Sequence, residues 1–210
     1  MAVEHYLVVR NLMYRSVYNH RLNVVCNWLL ERLVRLARQL GPDLVWADGV
    51  MQRWLWNAEE LDLDSFLAND DVRTGYHLQR WQEEGPPALA SLCRRFRERD
   101  LLKATAVTQL TREEQLQALA VAGRLAEQRG IDPSLSCGLR HQELRGYHPY
   151  RGGLRLWDGE QIQALEEASP LVASLATPAA TSWLIHPREI QKELRRTMDV
   201  EWGSSLTSDR

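Results

Sequence analysis

Apolar positions recur along the first forty residues at helical spacing. Leu22, Val25, Trp28, Leu29, Leu33, Val34, Leu36 and Leu40 fall mostly three or four apart, and Gly41-Pro42 ends the run. One long helix is predicted over residues 2 to about 40. A second is predicted from Ala47 to Asn57, anchored by Trp46, Trp54 and Trp56. Asp62 can cap a short helix through Leu67, and Asn69 or Asp70-Asp71 the next, over 71–84. Gly85-Pro86-Pro87 breaks that helix, and Pro87 suits the first turn of another over 87–99.

Beyond Arg99 the pattern changes. Lys103 to Thr108 is rich in Thr and Val and predicts a strand. Thr111-Arg112-Glu113-Glu114 resembles a capping box, opening a helix that runs to Arg129 and ends at Gly130. Leu135 to Arg145 alternates as a strand does, Tyr147 to Gly153 reads as a turn, and Leu154 to Trp157 as a second strand. A helix over 160–168, a strand from Ser182 to Ile185 and a final helix opened by Pro187 complete the pattern. The chain therefore reads as mainly α: a helical part over 1–103, a small α+β lobe over 104–202, and a disordered polar tail over 203–210. No internal repeat or low-complexity stretch occurs.

Composition narrows the classes. At 210 residues and 44% hydrophobic content, the chain can bury a core of one or two domains. A formal charge of −2 argues against a broad nucleic-acid surface, and Arg94, Arg95 and Arg97 form only a local basic cluster. Cys26, Cys93 and Cys137 are scattered with no CxxC pair, which fits reduced thiols better than a disulfide or zinc framework. No apolar run approaches the ~18 residues of a membrane span, and the N-terminal residues lack a signal-peptide pattern. The expectation is a soluble, cytoplasmic protein.

The candidate chemistry lies in Arg10 to Arg21. At the α-helical turn angle, Arg10, Tyr14, Tyr18 and Arg21 fall at about 0°, 40°, 80° and 20°, one sector of the helix. Val17, Met13 and Val24 flank that sector, while Asn19 and His20 project away from Tyr18. A guanidinium beside ring faces on one rigid element suits a phosphate-bearing aromatic ligand. An amphipathic helix whose Tyr and Arg straddle a core boundary carries the same residues.

Ala2-Val3-Glu4-His5-Tyr6-Leu7-Val8-Val9-Arg10, followed by Met13-Tyr14-Arg15-Ser16-Val17-Tyr18-Asn19-His20-Arg21, resembles a segment of the HD-domain deoxynucleoside triphosphate triphosphohydrolases. This family includes bacterial dGTPase-like enzymes and the vertebrate dNTP hydrolase with a sterile alpha motif. Its pattern is approximately A-V-E-x-[FY]-L-x-A-R-x-x-M-Y-x-x-V-Y-x-H-K, and the chain departs from it at Val9 and Arg21. A second block agrees: Asp64-Ser65-Phe66-Leu67, Asp70-Asp71, then Arg99-Asp100-Leu101-Leu102-Lys103, which resembles the family's R-x-L-F-K ending.

The resemblance implies roles residue by residue. Arg10 would contact substrate phosphates, Tyr14 would stand near the phosphates or sugar, and Tyr18 would pack against deoxyribose. Asn19 would lie near the base edge. His20, Arg21, Arg99 and Lys103 match positions that hold a regulatory nucleotide between subunits in the vertebrate enzyme, although Arg21 for Lys changes the geometry. Arg99 and Lys103 would also suit an ordinary solvated helix end. A homo-oligomer and a dNTP substrate are implied as partners, and a divalent metal as cofactor of the full-length enzyme.

The metal ligands themselves are not matched. The family's chemistry uses two histidines and two aspartates, including a His-Asp dipeptide, around a metal that activates water for hydrolysis. Here the six histidines precede Tyr, Arg, Leu, Gln, Pro and Pro. His141, His148 and Glu143 match no metal motif and are expected as surface residues. In the family the metal-binding half lies N-terminal to the block where this sequence begins, so the chain is expected to be the C-terminal portion of a longer domain that binds no metal by itself. The alternative is a non-catalytic nucleotide-binding or oligomerisation module.

Overall fold

A computed structural model describes residues 2–148, 152–157 and 159–203. The fold is mainly α with a small antiparallel sheet, in agreement with the fold class read from the sequence. The expected tail lies outside the described residues from Ser204 onwards, as do the Pro149, Tyr150 and Arg151 positions of the expected turn. No helix among the described residues is long and apolar enough to cross a membrane.

The first half is a set of helices around one core: α1 (Ala2–Met13), α2 (Arg21–Leu40), α3 (Gly49–Leu55), α4 (Leu63–Ala68), α5 (Asp71–Glu84) and α6 (Pro87–Arg97). Their starts follow capping chemistry. Asp48, Asp62 and Asp70 each accept a backbone N–H from the first turn of α3, α4 and α5. Leu29, Leu33 and Ala37 of α2 are fully buried, at 0% exposure, against Met51, Leu55, Leu78, Trp81, Leu89 and Leu92.

The expected helix over 2–40 is two helices. Between them, Tyr14–Tyr18 forms a π-helical turn, and Asn19-His20 leaves helical geometry. The His20 backbone is extended (φ −61°, ψ 140°), and its imidazole Nδ1 accepts the Leu22 N–H at 3.3 Å, starting α2 afresh. Side-chain acceptors and donors compete with the helical ladder here, which hydrophobic period alone does not register.

The second half is β1 (Lys103–Ala106), α7 (Arg112–Glu127), α8 (Pro133–Ser136), β2 (Gly138–Leu144), β3 (Arg155–Trp157), β4 (Ile162–Ala164), α9 (Leu165–Ala168), α10 (Pro170–Ala176), β5 (Ala179–His186) and α11 (Gln191–Trp202). The sheet has the order β1-β5-β2, all antiparallel, with Ala104 and Gly138 both opposite Ile185. Ile185 faces the helical core, whereas Leu184 packs with Ala122 of α7 and Leu194 and Met198 of α11. Period-two alternation thus joins β5 to both cores. Where a helix was expected over 160–168, residues Ile162–Ala164 instead pair with β3 as a hairpin, and the helix is confined to α9. The box at Thr111 is complete: its hydroxyl accepts the Glu114 N–H, and the Glu114 carboxylate accepts the Thr111 N–H at 2.7 Å.

Helix α1 is held by few contacts. Leu7 is its one buried residue among those described, packed with Tyr147, Leu165 and Val172. The Ser169 hydroxyl donates to Glu4 at 2.6 Å. The remainder of α1 and the π turn presents Tyr6, Val9, Met13, Tyr14, Val17 and Tyr18 to solvent.

Candidate functional site

The α1 sequence places Arg10 on the boundary between the Leu7 contact and the exposed row. Its Nη1 donates to the Gly146 carbonyl at 3.3 Å and its Nη2 to the Tyr14 hydroxyl at 3.4 Å. The guanidinium carbon stands 4.5 Å from the centre of the Tyr14 ring. Both hydrogen bonds are long, so the guanidinium is oriented by its neighbours while keeping donors for an anion.

Tyr14 and Tyr18 pack with ring centroids 5.0 Å apart and planes at 44°. Tyr18 remains 55% exposed. Arg10, Tyr14 and Tyr18 therefore form one continuous arrangement, as the sequence period suggests. Arg21 does not extend it: the break at Asn19-His20 interrupts the helical phase, and Arg21 is the exposed first residue of α2.

Asn19 closes the π turn. Its backbone N–H and its side-chain Nδ2 both donate to the Tyr14 carbonyl, at 2.8 and 3.0 Å. Its Oδ1 faces Gln142 Nε2 of β2 at 3.5 Å. Beneath it lies a cleft of about 240 Å³ lined by Arg15, Asn19, Gln142, Leu144, Ala179, Thr181 and Trp183. Trp183 Nε1 there is buried with no hydrogen-bond partner among the described residues.

His20, Arg21, Arg99 and Lys103 occupy distinct settings. His20 is engaged in capping α2. Arg99 follows the C-terminal cap of α6 in left-handed backbone, φ 57°, and is exposed. Burial raises the Cys26 thiol of α2, and the Arg99 charge draws it partly back. Lys103 opens β1 opposite His186. That histidine is fully buried, and burial, helped by the Arg195 and Lys103 charges, holds it down at about 4 against the pull of the Pro187 carbonyl. His186 Nδ1 lies 2.9 Å from the Pro187 carbonyl and Nε2 3.0 Å from the Thr105 hydroxyl, a fully satisfied neutral ring.

The described residues offer no ready site for a divalent metal. Among those described, no group of three His, Cys, Asp or Glu side chains could hold one. His141 is occupied by Ser182 Oγ at 2.8 Å and by the Arg112 guanidinium at 2.6 Å, a cation that would oppose a metal at the same ring. Glu143 pairs with Arg145.

Three contributors escaped sequence reasoning. Gly146 holds Arg10 through a carbonyl, which carries no side-chain signature. Trp183 and Gln142 reach the Asn19 cleft only because β2 pairs with β5, with Gln142 opposite Thr181 and Arg140 opposite Trp183.

No family model matches the chain. It is 26% identical over 199 residues to the uncharacterized protein YwfO of Bacillus subtilis, an alignment covering 90% of this chain and 45% of that protein. Among solved structures, a phosphohydrolase from Bacteroides thetaiotaomicron superposes with a TM-score of 0.70 at 20% identity, over 89% of this chain and 50% of that one. A hypothetical protein from Aquifex aeolicus gives 0.61 at 20% identity, over 94% of this chain and 44% of that one. The chain spans about half the length of these relatives. Over the aligned residues it shares the fold of the Bacteroides thetaiotaomicron protein.

Proposed function

We propose that this chain supplies the substrate-phosphate and sugar contacts of an HD-type, metal-dependent phosphohydrolase acting on deoxynucleoside triphosphates. The reaction would join water to dGTP and release deoxyguanosine and triphosphate. In this reading Arg10 binds phosphate oxygens, Tyr14 stands beside them, Tyr18 packs on the deoxyribose and Asn19 meets the base edge. The metal cage belongs to protein matching the other half of the longer relatives, and no step of the chemistry is assigned to a metal held here. His20, Arg21, Arg99 and Lys103 remain proposed contacts of a second nucleotide between subunits.

The single observation that carries the reading is the oriented but unsealed Arg10–Tyr14–Tyr18 arrangement on an exposed apolar row. Support also comes from the fold shared with the Bacteroides thetaiotaomicron phosphohydrolase.

Thermal unfolding with and without nucleotide tests it, because a ligand that binds only the folded state raises the melting temperature. Millimolar dGTP is expected to stabilise the chain more than GTP does, since a 2′-hydroxyl would crowd Tyr18. Equal shifts, or none, would count against the assignment. Triphosphate release that appears only when a metal-binding half and a divalent cation are added separates the hydrolase from a non-catalytic nucleotide-binding module.

A further inference from the structure

At the junction between α1 and α2 several carbonyls lose their α-helical partners, Tyr14 O and Val17 O among them. In an unbroken helix Tyr14 O would accept from Tyr18 N–H, and Val17 O from Arg21 N–H. Asn19 serves the first, through backbone and side chain. The second accepts His20 N–H at 3.3 Å and Asn23 Nδ2 at 2.6 Å. The shorter of these is the side-chain bond, and it arrives from across the break, from the third residue of α2. Val17 immediately precedes Tyr18, so this contact restrains the backbone that carries the Tyr18 ring. π turns are rare and need such local support to persist against the commoner helix.

The geometry points to Asn23 as a positioning residue. Its amide latches the π turn to α2 and so sets the Tyr14–Tyr18 pair at the spacing on which a nucleotide rests. This rests on the nucleotide reading above for its ligand, but not for the latch itself.

The latch is tested in the full chain with Asn23→Asp. Aspartate keeps the shape and carries a charge that the first turn of a helix favours, while losing both N–H donors. Hydrogen exchange at the Asn19 and His20 amides is expected to quicken about tenfold or more, the scale of one lost hydrogen bond. The melting temperature should hold, and the dGTP dissociation constant should rise about tenfold. Asn23→Gln, which keeps the amide on a longer arm, should recover part of the affinity. Unchanged exchange in N23D overturns the latch, and quickened exchange with unchanged dGTP affinity overturns its role in binding. Where the wild-type chain does not bind dGTP at all, the nucleotide reading has failed, and exchange alone then decides the latch.

Discussion

Arg10 and Gly146, separated by 136 positions in sequence, meet through a hydrogen bond of 3.3 Å from Nη1 to the glycine carbonyl. The loop after β2 comes this near because Gly146 has no side chain. A Cβ there would stand 2.8 Å from Asn11 Cγ and 3.1 Å from Asn11 Cβ, so α1 or the loop would have to move. Gly146→Ala is therefore expected to cost about 1–3 kcal/mol of stability, the usual range for overpacking. It should also weaken dGTP binding, because the carbonyl that orients Arg10 is displaced. Urea unfolding and a nucleotide titration of the same variant check both effects, and a neutral result in both would refute the close approach.

Gly138 is in the same position against the core. A Cβ on it would meet the Trp28 ring at 2.7 Å, and Trp28 is only 4% exposed. Gly138→Ala should lose about 1–3 kcal/mol. Gly123, inside α7, meets only Pro133 Cβ at 3.7 Å, so Gly123→Ala should gain up to about 1 kcal/mol from helix propensity. Opposite signs from one chemical change, read by urea midpoints, would separate packing from propensity.

His186 makes stability depend on pH. Its folded value of about 4 lies below the ordinary 6.5, so the unfolded chain binds this proton more readily. The neutral-ring contribution is fully present above pH ~6.5 and is lost as pH falls towards ~4, with a ceiling of about 3 kcal/mol. His186→Gln should flatten the urea-midpoint profile across that window, at the cost of a lower midpoint at pH 7. A profile equally steep in the variant would place the acid sensitivity elsewhere.

The helix starts were legible because their signals are local. Asp62 and Asp70 act as caps, Pro87 opens α6, and the Thr111 box forms with both of its hydrogen bonds. The strand at Lys103–Ala106 follows its Thr- and Val-rich segment, since period and β-branching act over a few residues. What the pattern did not show depends on competition or on distance. The helix break at Asn19-His20 comes from side chains outbidding the backbone ladder. β4 exists through pairing with β3, which places Ile162 opposite Trp157.

The candidate site divides in the same way. Arg10 and Tyr14 could be read from spacing because the π turn begins only at Tyr14, and Tyr18, though inside that turn, still packs on the Tyr14 ring at 5.0 Å. Arg21 could not, since it lies beyond the break. Gly146 contributes backbone alone, and its approach to Arg10 is set by tertiary packing of Leu7 on Tyr147 and Leu165.

The most direct measurement is the calorimetric affinity for dGTP of the wild-type chain and of Arg10→Ala. Arg10 should supply a charge-assisted contact worth about 1.5–3 kcal/mol, so the variant is expected to bind about ten- to a hundredfold more weakly while keeping its melting temperature. Equal affinity in the two proteins, or no binding by the wild type, would contradict the assignment of this face to a nucleoside triphosphate.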